Sequence, residues 1–184
     1  MRFNLHRARY AMAVDTRRCV GCSACVIACN EENGLPLADF RSWIETEVRG
    51  TYPHLAMEIR SERCEQCGDA PCVTNCPTGA SYYAEGGVIL VDHDLCTGCK
   101  ACVAACPYDA RYIHPDGYAD KCTFCLHRVA RGLQPACSST CPTRSLTFGD
   151  VNDPGSDIAE LLRTRQWKQV NPEAGTKPNL YFLT

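Results

Sequence analysis

Cysteine is the residue type that dominates the chemistry available to this sequence, at 16 of 184 residues, or about 9 %. Such a fraction indicates that cross-links or bound metal, more than a large apolar core, hold the fold together. The cysteines form four blocks of four: Cys19, Cys22, Cys25 and Cys29; Cys64, Cys67, Cys72 and Cys76; Cys96, Cys99, Cys102 and Cys106; and Cys122, Cys125, Cys137 and Cys141. This regular grouping indicates a repeated binding unit.

The spacing within the blocks is repeated as well. Blocks one and three share C-x2-C-x2-C-x3-C, whereas blocks two and four lengthen the middle gap and keep x2 at the front and x3 at the back. Three closely spaced thiolates can bind one cluster, but the fourth starts the next helix and faces away. In two-cluster bacterial ferredoxins the fourth cysteine binds the other cluster. We therefore expect each block to bind a 4Fe-4S cluster through three cysteines and to contribute its fourth to a partner cluster.

Sixteen thiolates in groups of four make four 4Fe-4S clusters, with no cysteine left over. Proximity pairs block two with block three and leaves blocks one and four as the outer pair. The predicted ligands are Cys19, Cys22, Cys25 and Cys141 for cluster A; Cys122, Cys125, Cys137 and Cys29 for cluster B; Cys64, Cys67, Cys72 and Cys106 for cluster C; and Cys96, Cys99, Cys102 and Cys76 for cluster D. Pairing one with two and three with four is also compatible with the spacing. We rank it second because the shared spacing of blocks one and three indicates equivalent positions in two pairs.

Short β-prone runs precede the first three blocks, and extended runs follow the last three. This order predicts an α+β fold of two pseudo-symmetric modules resembling bacterial ferredoxins, each with two 4Fe-4S clusters. The predicted parts are residues 9–29 with 115–149 as the outer module, 61–114 as the inner module, 30–60 as an inserted β-hairpin, and 150–184 as a C-terminal tail that binds a partner. The alternative for the tail is a surface appendage, and we expect it to add little to the metal core.

Local signals refine the element boundaries. Proline follows the last cysteine of three blocks, where its fixed φ ends the helical turn. Block one has Asn30 there instead, so we expect its helix to continue and to turn at Asn33-Gly34. One helix is predicted in the tail, in "SDIAELLRTRQW", with Ser156 or Asp157 as its cap.

The rest of the composition excludes several classes of protein. The net charge of -2 gives no electrostatic reason to expect nucleic acid as a partner. No apolar run reaches the roughly 18 residues that crossing a membrane requires. The N-terminal stretch "MRFNLHRARYAMAVD" lacks the apolar segment of a secretion signal, so export would need another carrier.

Two other uses of cysteine are less compatible with this pattern. A disulfide framework is disfavoured because cysteines at x2 spacing cannot all pair usefully. Structural zinc is disfavoured because zinc sites use two pairs, whereas three-plus-one blocks ending in Cys-Pro are typical of iron-sulfur proteins. Lys100, Lys121, Arg111 and Arg128 lie near ligands in the sequence and are either tuning cations or ordinary surface charges. His93, His114 and His127 are interpreted as packing or hydrogen-bonding residues.

No motif for substrate chemistry is present: the sequence has no G-x-S-x-G, no Gly-rich phosphate loop and no cysteine to spare. We therefore predict no catalytic site and a role in carrying electrons. The leading hypothesis is a relay subunit of a larger oxidoreductase; the alternative is a soluble polyferredoxin that meets its partners by diffusion.

The sequence resembles the four-cluster electron-transfer subunits of the dimethyl sulfoxide reductase family of molybdopterin oxidoreductases, and within it those of the polysulfide and thiosulfate reductases. The resemblance covers most of residues 9–150 and the tail. It lies in "RYAMAVDTRRCVGCSACVIAC", "CEQCGDAPCVTNCPTGASY", "VDHDLCTGCKACVAACPYDARYIHPDGYADKCTFCLHR", "PACSSTCPTRSLTFGD" and "GTKPNLYFL". These motifs are specific for the subunit type and much less so for the substrate, so relay subunits of dimethyl sulfoxide, arsenate, sulfite or formate oxidoreductases remain alternatives.

The resemblance implies a complex of three subunits. A catalytic subunit would hold a molybdenum or tungsten bis-pterin cofactor, a membrane subunit would exchange electrons with quinone, and this chain would connect them. It also implies ligand exchange between blocks one and four and between two and three. The nitrate reductase branch has tryptophan in place of the second cysteine of block three, and Cys99 speaks against that branch. The implied location is the periplasmic side of the inner membrane, reached by co-export with the catalytic subunit; the alternative is the cytoplasmic side.

Overall fold

The computed structural model describes residues 8–184, which combine short helices with small β-sheets in an α+β arrangement. Residues 1–7, part of the stretch searched for a secretion signal, lie outside the described residues. The strands are β1 Tyr10–Asp15, β2 Ser42–Thr51, β3 His54–Arg63, β4 Ser81–Tyr83, β5 Ile89–Val91, β6 Tyr112–Ile113, β7 Ala119–Asp120, β8 Leu146–Asp150, β9 Trp167–Lys168 and β10 Leu180–Leu183. The helices are α1 Ala24–Asn33, α2 Pro71–Thr74, α3 Ala101–Ala104, α4 Leu126–Val129, α5 Ala136–Thr140 and α6 Asp157–Thr164. Within residues 8–184, no helix has both the length and the apolar character needed to cross a bilayer.

The largest sheet joins the two ends of the chain, with strands in the order β8-β1-β10-β9. β10 lies parallel to β1, and β8 lies antiparallel on the other side of β1. Every residue of β1 and β10 is buried. The tail was expected to add little to the core, but its last strand occupies the centre of this sheet. The apolar run "LYFL" explains why the tail enters the core. A four-residue apolar strand is not stable by itself, and it is buried here between two neighbouring strands.

Alternate residues of this sheet face opposite sides, as strand geometry requires. Met12, Val14 and Phe182 face the side where the cysteine loops pack. Ala11 and Ala13 face the other side, where Ile158 of α6 covers them. Ser156 caps α6 as the sequence predicts, because its hydroxyl accepts a hydrogen bond from the Ala159 amide at 3.2 Å. The sheet therefore packs against the cysteine loops on one face and against α6 on the other.

Strands β2 and β3 form a long antiparallel hairpin, paired from Ser42 with Arg63 to Thr51 with His54. The hairpin covers residues 42–63, whereas the sequence prediction gave residues 30–60, since the first part of that predicted segment completes α1 and a loop. Gly50 near the tip has φ 96°, and a Cβ there would clash with the His54 carbonyl. The tip of the hairpin is exposed, and the base of the hairpin is buried. Because β3 ends immediately before Cys64, the buried base sets the position of block two.

The elements around blocks two and three are much shorter. Helices α2 and α3 have four residues each and pack against each other. β4 pairs with β5, and β6 pairs with β7, in separate two-stranded sheets. By contrast, α1 of block one is ten residues long and continues past Cys29 to Asn33. Gly34, whose φ is 59°, caps its C-terminus at the turn that the sequence predicts. α1 packs against α5 of block four.

Candidate metal centres

Four cysteines from the two ends of the chain line one small cavity. Cys19, Cys22 and Cys25 come from the loop between β1 and α1 and the start of α1, and Cys141 directly follows α5. These are the residues predicted for cluster A, and they form a donor set of four thiols facing one space, which fits an iron-sulfur cluster. Burial raises the pKa of Cys141, but hydrogen bonds from Ser145 and Thr143 outweigh it and lower that pKa to about 7. The thiolate form that metal binding requires is therefore favoured at this position.

The cysteines predicted for cluster B are all buried. Cys29 lies on α1, whereas Cys122, Cys125 and Cys137 belong to block four. Burial is the main reason that the pKa of Cys29 rises to about 12, and the neighbouring sulfurs of Cys137 and Cys125 add to the rise. The structure thus brings the last cysteine of block one among those of block four.

The inner blocks show the same exchange for the predicted cluster C. Burial raises the pKa of Cys72, and the nearby sulfurs of Cys64 and Cys106 contribute in the same direction. Cys106 in turn has Cys64 among the charges that affect it. The last cysteine of block three therefore lies near the first and third cysteines of block two.

For the predicted cluster D, the hydrogen bonds to Cys96 and Cys76 come from backbone amides of other residues and do not join the cysteines to one another. The Ala119 amide donates to Cys96 Sγ at 3.3 Å, and the Ser81 amide donates to Cys76 Sγ at 3.4 Å. The packing of α2 on α3 brings blocks two and three together. The grouping of Cys76 with Cys96, Cys99 and Cys102 stays a prediction, as do the ligand roles of all sixteen residues.

One backbone feature recurs in all four blocks. The third residue of each leading C-x-x-C has a left-handed φ: Gly21 at 68°, Gln66 at 47°, Gly98 at 65° and Phe124 at 50°. Glycine adopts this conformation without strain, but the other two must be held by their surroundings. Gln66 is fully buried; its side-chain amide donates to the Cys122 carbonyl at 2.7 Å and accepts from the Ile89 amide at 2.8 Å. The turn lets backbone amides point at sulfur, as the Phe124 amide does toward Cys122 Sγ at 3.4 Å.

Exposure varies along the set of cysteines, all sixteen of which lie in the described residues as free thiols. Cys22 and Cys99, from the predicted clusters A and D, are the two exposed ones. The cysteines of the predicted cluster B are buried, and so are three of the four predicted for cluster C. Clusters bound in this way would lie near the surface at A and D and in the interior at B and C.

Two of the four cations that the sequence singled out, Lys121 and Arg111, lie among the cysteines, and two do not. Lys121 and Arg111 are buried, whereas Lys100 is exposed and Arg128 pairs with Glu32 at 2.6 Å. Sequence reasoning missed Arg63, which is also buried. Burial by itself would lower the pKa of Arg63, but the surrounding cysteine sulfurs, Cys137 foremost, raise it. The sequence feature that could have pointed to Arg63 is its position, because it is a charged residue between a β-prone run and the first cysteine of a block.

The histidines lie in the roles expected for them. The His93 and His114 rings stack on Tyr118, with centroid distances of 3.7 and 4.6 Å. His127 Nε2 lies 2.8 Å from a Glu32 carboxylate oxygen. Within residues 8–184, no three His, Cys, Asp or Glu side chains are grouped closely enough to hold a single metal ion.

Comparison with known proteins identifies the family. Two families described as 4Fe-4S dicluster domain match residues 55–151 and residues 18–80. A polysulfide reductase chain of Wolinella succinogenes is 44% identical over 179 residues, which cover 95% of this chain and 94% of that protein. NrfC of Escherichia coli K12 is 44% identical over 182 residues, covering 97% and 82% respectively. A tetrathionate reductase subunit of Salmonella typhimurium is 42% identical over 182 residues, covering 96% and 73%.

These matches extend over both pairs of cysteine blocks and reach the tail. They confirm the resemblance seen in the sequence, and the shared lengths leave no large part of the described fold outside it. The chain belongs to the 4Fe-4S dicluster family, among the iron-sulfur electron-transfer subunits of the dimethyl sulfoxide reductase family of molybdopterin oxidoreductases.

Proposed function

We propose that this chain relays electrons through four 4Fe-4S clusters between a molybdopterin catalytic subunit and a quinone-reactive membrane subunit, in a complex of the polysulfide or thiosulfate reductase type. The observation that supports this most is the cavity lined by Cys19, Cys22, Cys25 and Cys141, because it joins three cysteines of the first block to the last cysteine of the chain. Family membership supports the same conclusion through relatives named as reductase subunits.

The ligand sets are the four predicted from the sequence, with blocks one and four exchanging one cysteine and blocks two and three exchanging another. The two halves are then related modules of two clusters each. When bound, the clusters take up and release single electrons. The chain's own contribution is to supply the thiolates, to direct backbone amides at them and to exclude water from the interior ones.

The clusters follow one another in the order A, B, C, D. Arg63 lies near Cys25 of A and Cys137 of B. Cys122 of B has Cys64 of C among its charged neighbours. Arg111 lies near Cys72 of C and Cys102 of D. Together with the exposure of Cys22 and Cys99, these neighbours support a path whose two ends reach the surface and whose middle is buried.

The two surface ends give the chain its place in a complex. Electrons would enter beside one exposed cysteine and leave beside the other, so the catalytic and membrane subunits bind opposite ends. We place the complex on the periplasmic side of the inner membrane, with the cytoplasmic side as the alternative. Protease treatment of spheroplasts distinguishes them, since a periplasmic subunit is digested before the inner membrane is opened.

Anaerobic purification from native membranes tests the proposal. The expected product is a complex of this chain with two other subunits, with about sixteen iron and sixteen acid-labile sulfide atoms per chain. Recovery of the chain as a lone soluble protein with its clusters would support the polyferredoxin alternative. Iron well below that amount in undamaged material would contradict the four-cluster assignment.

A pair of substitutions tests the ligand exchange. Cys106→Ser is expected to remove the EPR signal that Cys67→Ser removes, because Cys106 completes the cluster of block two. Cys76→Ser is expected to remove the signal that Cys99→Ser removes. The opposite pattern, in which each substitution affects the cluster of its own block, would contradict the exchange and leave the relay function standing.

A further inference from the structure

A buried arginine and a buried serine connect two cysteines that belong to different predicted clusters. Arg63 Nη1 donates to Cys137 Sγ at 2.9 Å, and Arg63 Nη2 donates to Ser61 Oγ at 2.5 Å. Ser61 Oγ lies 3.2 Å from Cys25 Sγ. The two sulfurs, one predicted for cluster B and one for cluster A, are thus joined through two side chains.

Strand geometry fixes this connection. Ser61 and Arg63 are two residues apart on β3, so their side chains lie on the same face of the hairpin base. Both are 1% exposed, and the two cysteines are 7% and 6% exposed. The contacts are therefore shielded from water. In such an interior, hydrogen bonds and charges act more strongly than they do at the surface.

No carboxylate of the described residues forms an ion pair with Arg63. Glu62 and Glu65 lie close enough to feel its charge, but burial raises the pKa of both carboxyl groups and so favours their neutral forms. Within residues 8–184, no Asp or Glu lies within ion-pair distance of the Arg63 guanidinium, and its Nε has no hydrogen-bond partner. A buried cation without a counterion is strongly unfavourable. Anionic sulfur around it offsets that cost, and the strongest charge interactions that raise the pKa of Arg63 come from the sulfurs of Cys137, Cys122, Cys25 and Cys29.

We propose that Arg63 and Ser61 form a bridge that raises the reduction potentials of clusters A and B together. The inference rests on the proposed ligand roles of Cys25 and Cys137. Hydrogen bonds to ligand sulfur and the local charge are among the factors that set the potential of an iron-sulfur cluster. Reduction adds negative charge, which a cation stabilises. Arg63 acts on cluster B by direct contact, and it acts on cluster A by its charge and through Ser61.

The charge of Arg63 also offsets part of the cost of reducing two neighbouring clusters. An electron on one cluster repels an electron on its neighbour, and the fixed positive charge between them stabilises each added electron. Both clusters are then reduced at higher potentials than an uncharged junction would allow. Arg63 and Ser61 are thus positioning residues for electron transfer and are not ligands.

EPR-monitored redox titration of the anaerobically purified complex tests the bridge. Arg63→Gln is expected to shift the midpoint potentials of clusters A and B to lower values and to leave C and D much less affected. Ser61→Ala is expected to lower the potential of A more than that of B, because it removes only the Cys25 side of the bridge. Arg63→Lys, which retains the charge, is expected to shift both potentials less than Arg63→Gln.

Ser42→Ala is the matched control. Ser42 pairs with Arg63 across the hairpin and is 1% exposed, but its hydroxyl has no hydrogen-bond partner among the described residues. It is expected to change no potential. Unchanged potentials in Arg63→Gln or Ser61→Ala with full iron content would overturn the bridge and leave the relay function intact. If Arg63→Gln fails to assemble, Ser61→Ala decides by the same criterion, whereas missing clusters in the unmodified complex would instead contradict the proposed function.

Discussion

The two halves of the molecule hold eight cysteines each, in very different surroundings. The outer half, with blocks one and four, is backed by the four-stranded sheet, and α1 runs for ten residues. The inner half, with blocks two and three, has two four-residue helices and strands of two or three residues. A helix or hairpin that short is not stable by itself in water. We therefore expect the inner half, whose own apolar cluster is small, to depend more on its bound clusters for order than the outer half, which contributes most of the larger apolar core.

The halves nevertheless share one device at their cluster junctions. At the junction of the predicted clusters A and B the buried pair is Arg63 with Ser61, and at the junction of C and D Arg111 Nη2 donates to the buried Ser81 hydroxyl at 2.8 Å. Each arginine lies among cysteines predicted for two different clusters. Folding therefore brings two cations from outside the cysteine blocks, one directly before block two and one shortly after block three, among the cysteine sulfurs of two predicted clusters.

The two exposed ends differ as well. The exposed residues beside Cys22 in the chain include Val20 at 61% and Ile27 at 63%. Those beside Cys99 include the charged Lys100 and Asp94 and the apolar Leu95, which is 53% exposed. The end at Cys99 thus presents acidic as well as apolar groups.

Removing iron from the protein is expected to have the largest effect on the difference in stability between the two halves. Anaerobic chelation should abolish amide protection throughout residues 64–114, because metal binding and folding are coupled where the elements are too short to persist alone. β1 and β10 should keep part of their protection. Hydrogen exchange followed by mass spectrometry measures both regions, and equal loss in the two halves would show that the sheet gives no independent support.

Phe182→Ala is expected to destabilise the outer half by about 3–5 kcal/mol, since it removes a fully buried aromatic side chain and leaves a cavity. Phe182 is 0% exposed at the centre of the sheet. Anaerobic denaturant unfolding of the cluster-loaded protein gives the value. The EPR signals of the inner clusters should persist where the outer ones are lost. Leu133→Ala, at a side chain that is 49% exposed, is the control, with an expected change below about 0.5 kcal/mol. Equal effects of the two substitutions would contradict the role given to the sheet.

A smaller effect is expected where the tail contacts the inner half. The Tyr108 hydroxyl lies 2.5 Å from Thr176 Oγ, and Tyr108→Phe removes this hydrogen bond at a cost of about 1 kcal/mol. Tyr82→Phe makes the same chemical change at a residue that is 41% exposed, and its hydroxyl has no hydrogen bond within residues 8–184. Identical denaturation midpoints for the two variants would show that the tail adds nothing to the inner half through this contact.

Much of the local structure follows from short-range signals in the sequence. The strand before Cys19, the turn at Gly34 and the Ser156 cap all occur where residue preferences predict them. The position of β10 does not follow from such signals, because a four-residue apolar run has many possible neighbours. Arg63 was missed for a similar reason: its sequence position shows a charge before a cysteine, but not the sulfur 74 residues away that it contacts.

The chemistry of this protein can be read from residue order, because sixteen thiols at fixed spacing favour iron-sulfur clusters and the family motifs lie in the same segments. Which distant groups meet depends on folding instead: Cys141 lies with the first block, β10 lies beside β1, and Arg63 lies between two sets of cysteines. The difference is one of range. Spacing and residue preference act over a few positions, whereas the burial of charge and of apolar strands depends on what the whole chain packs against them.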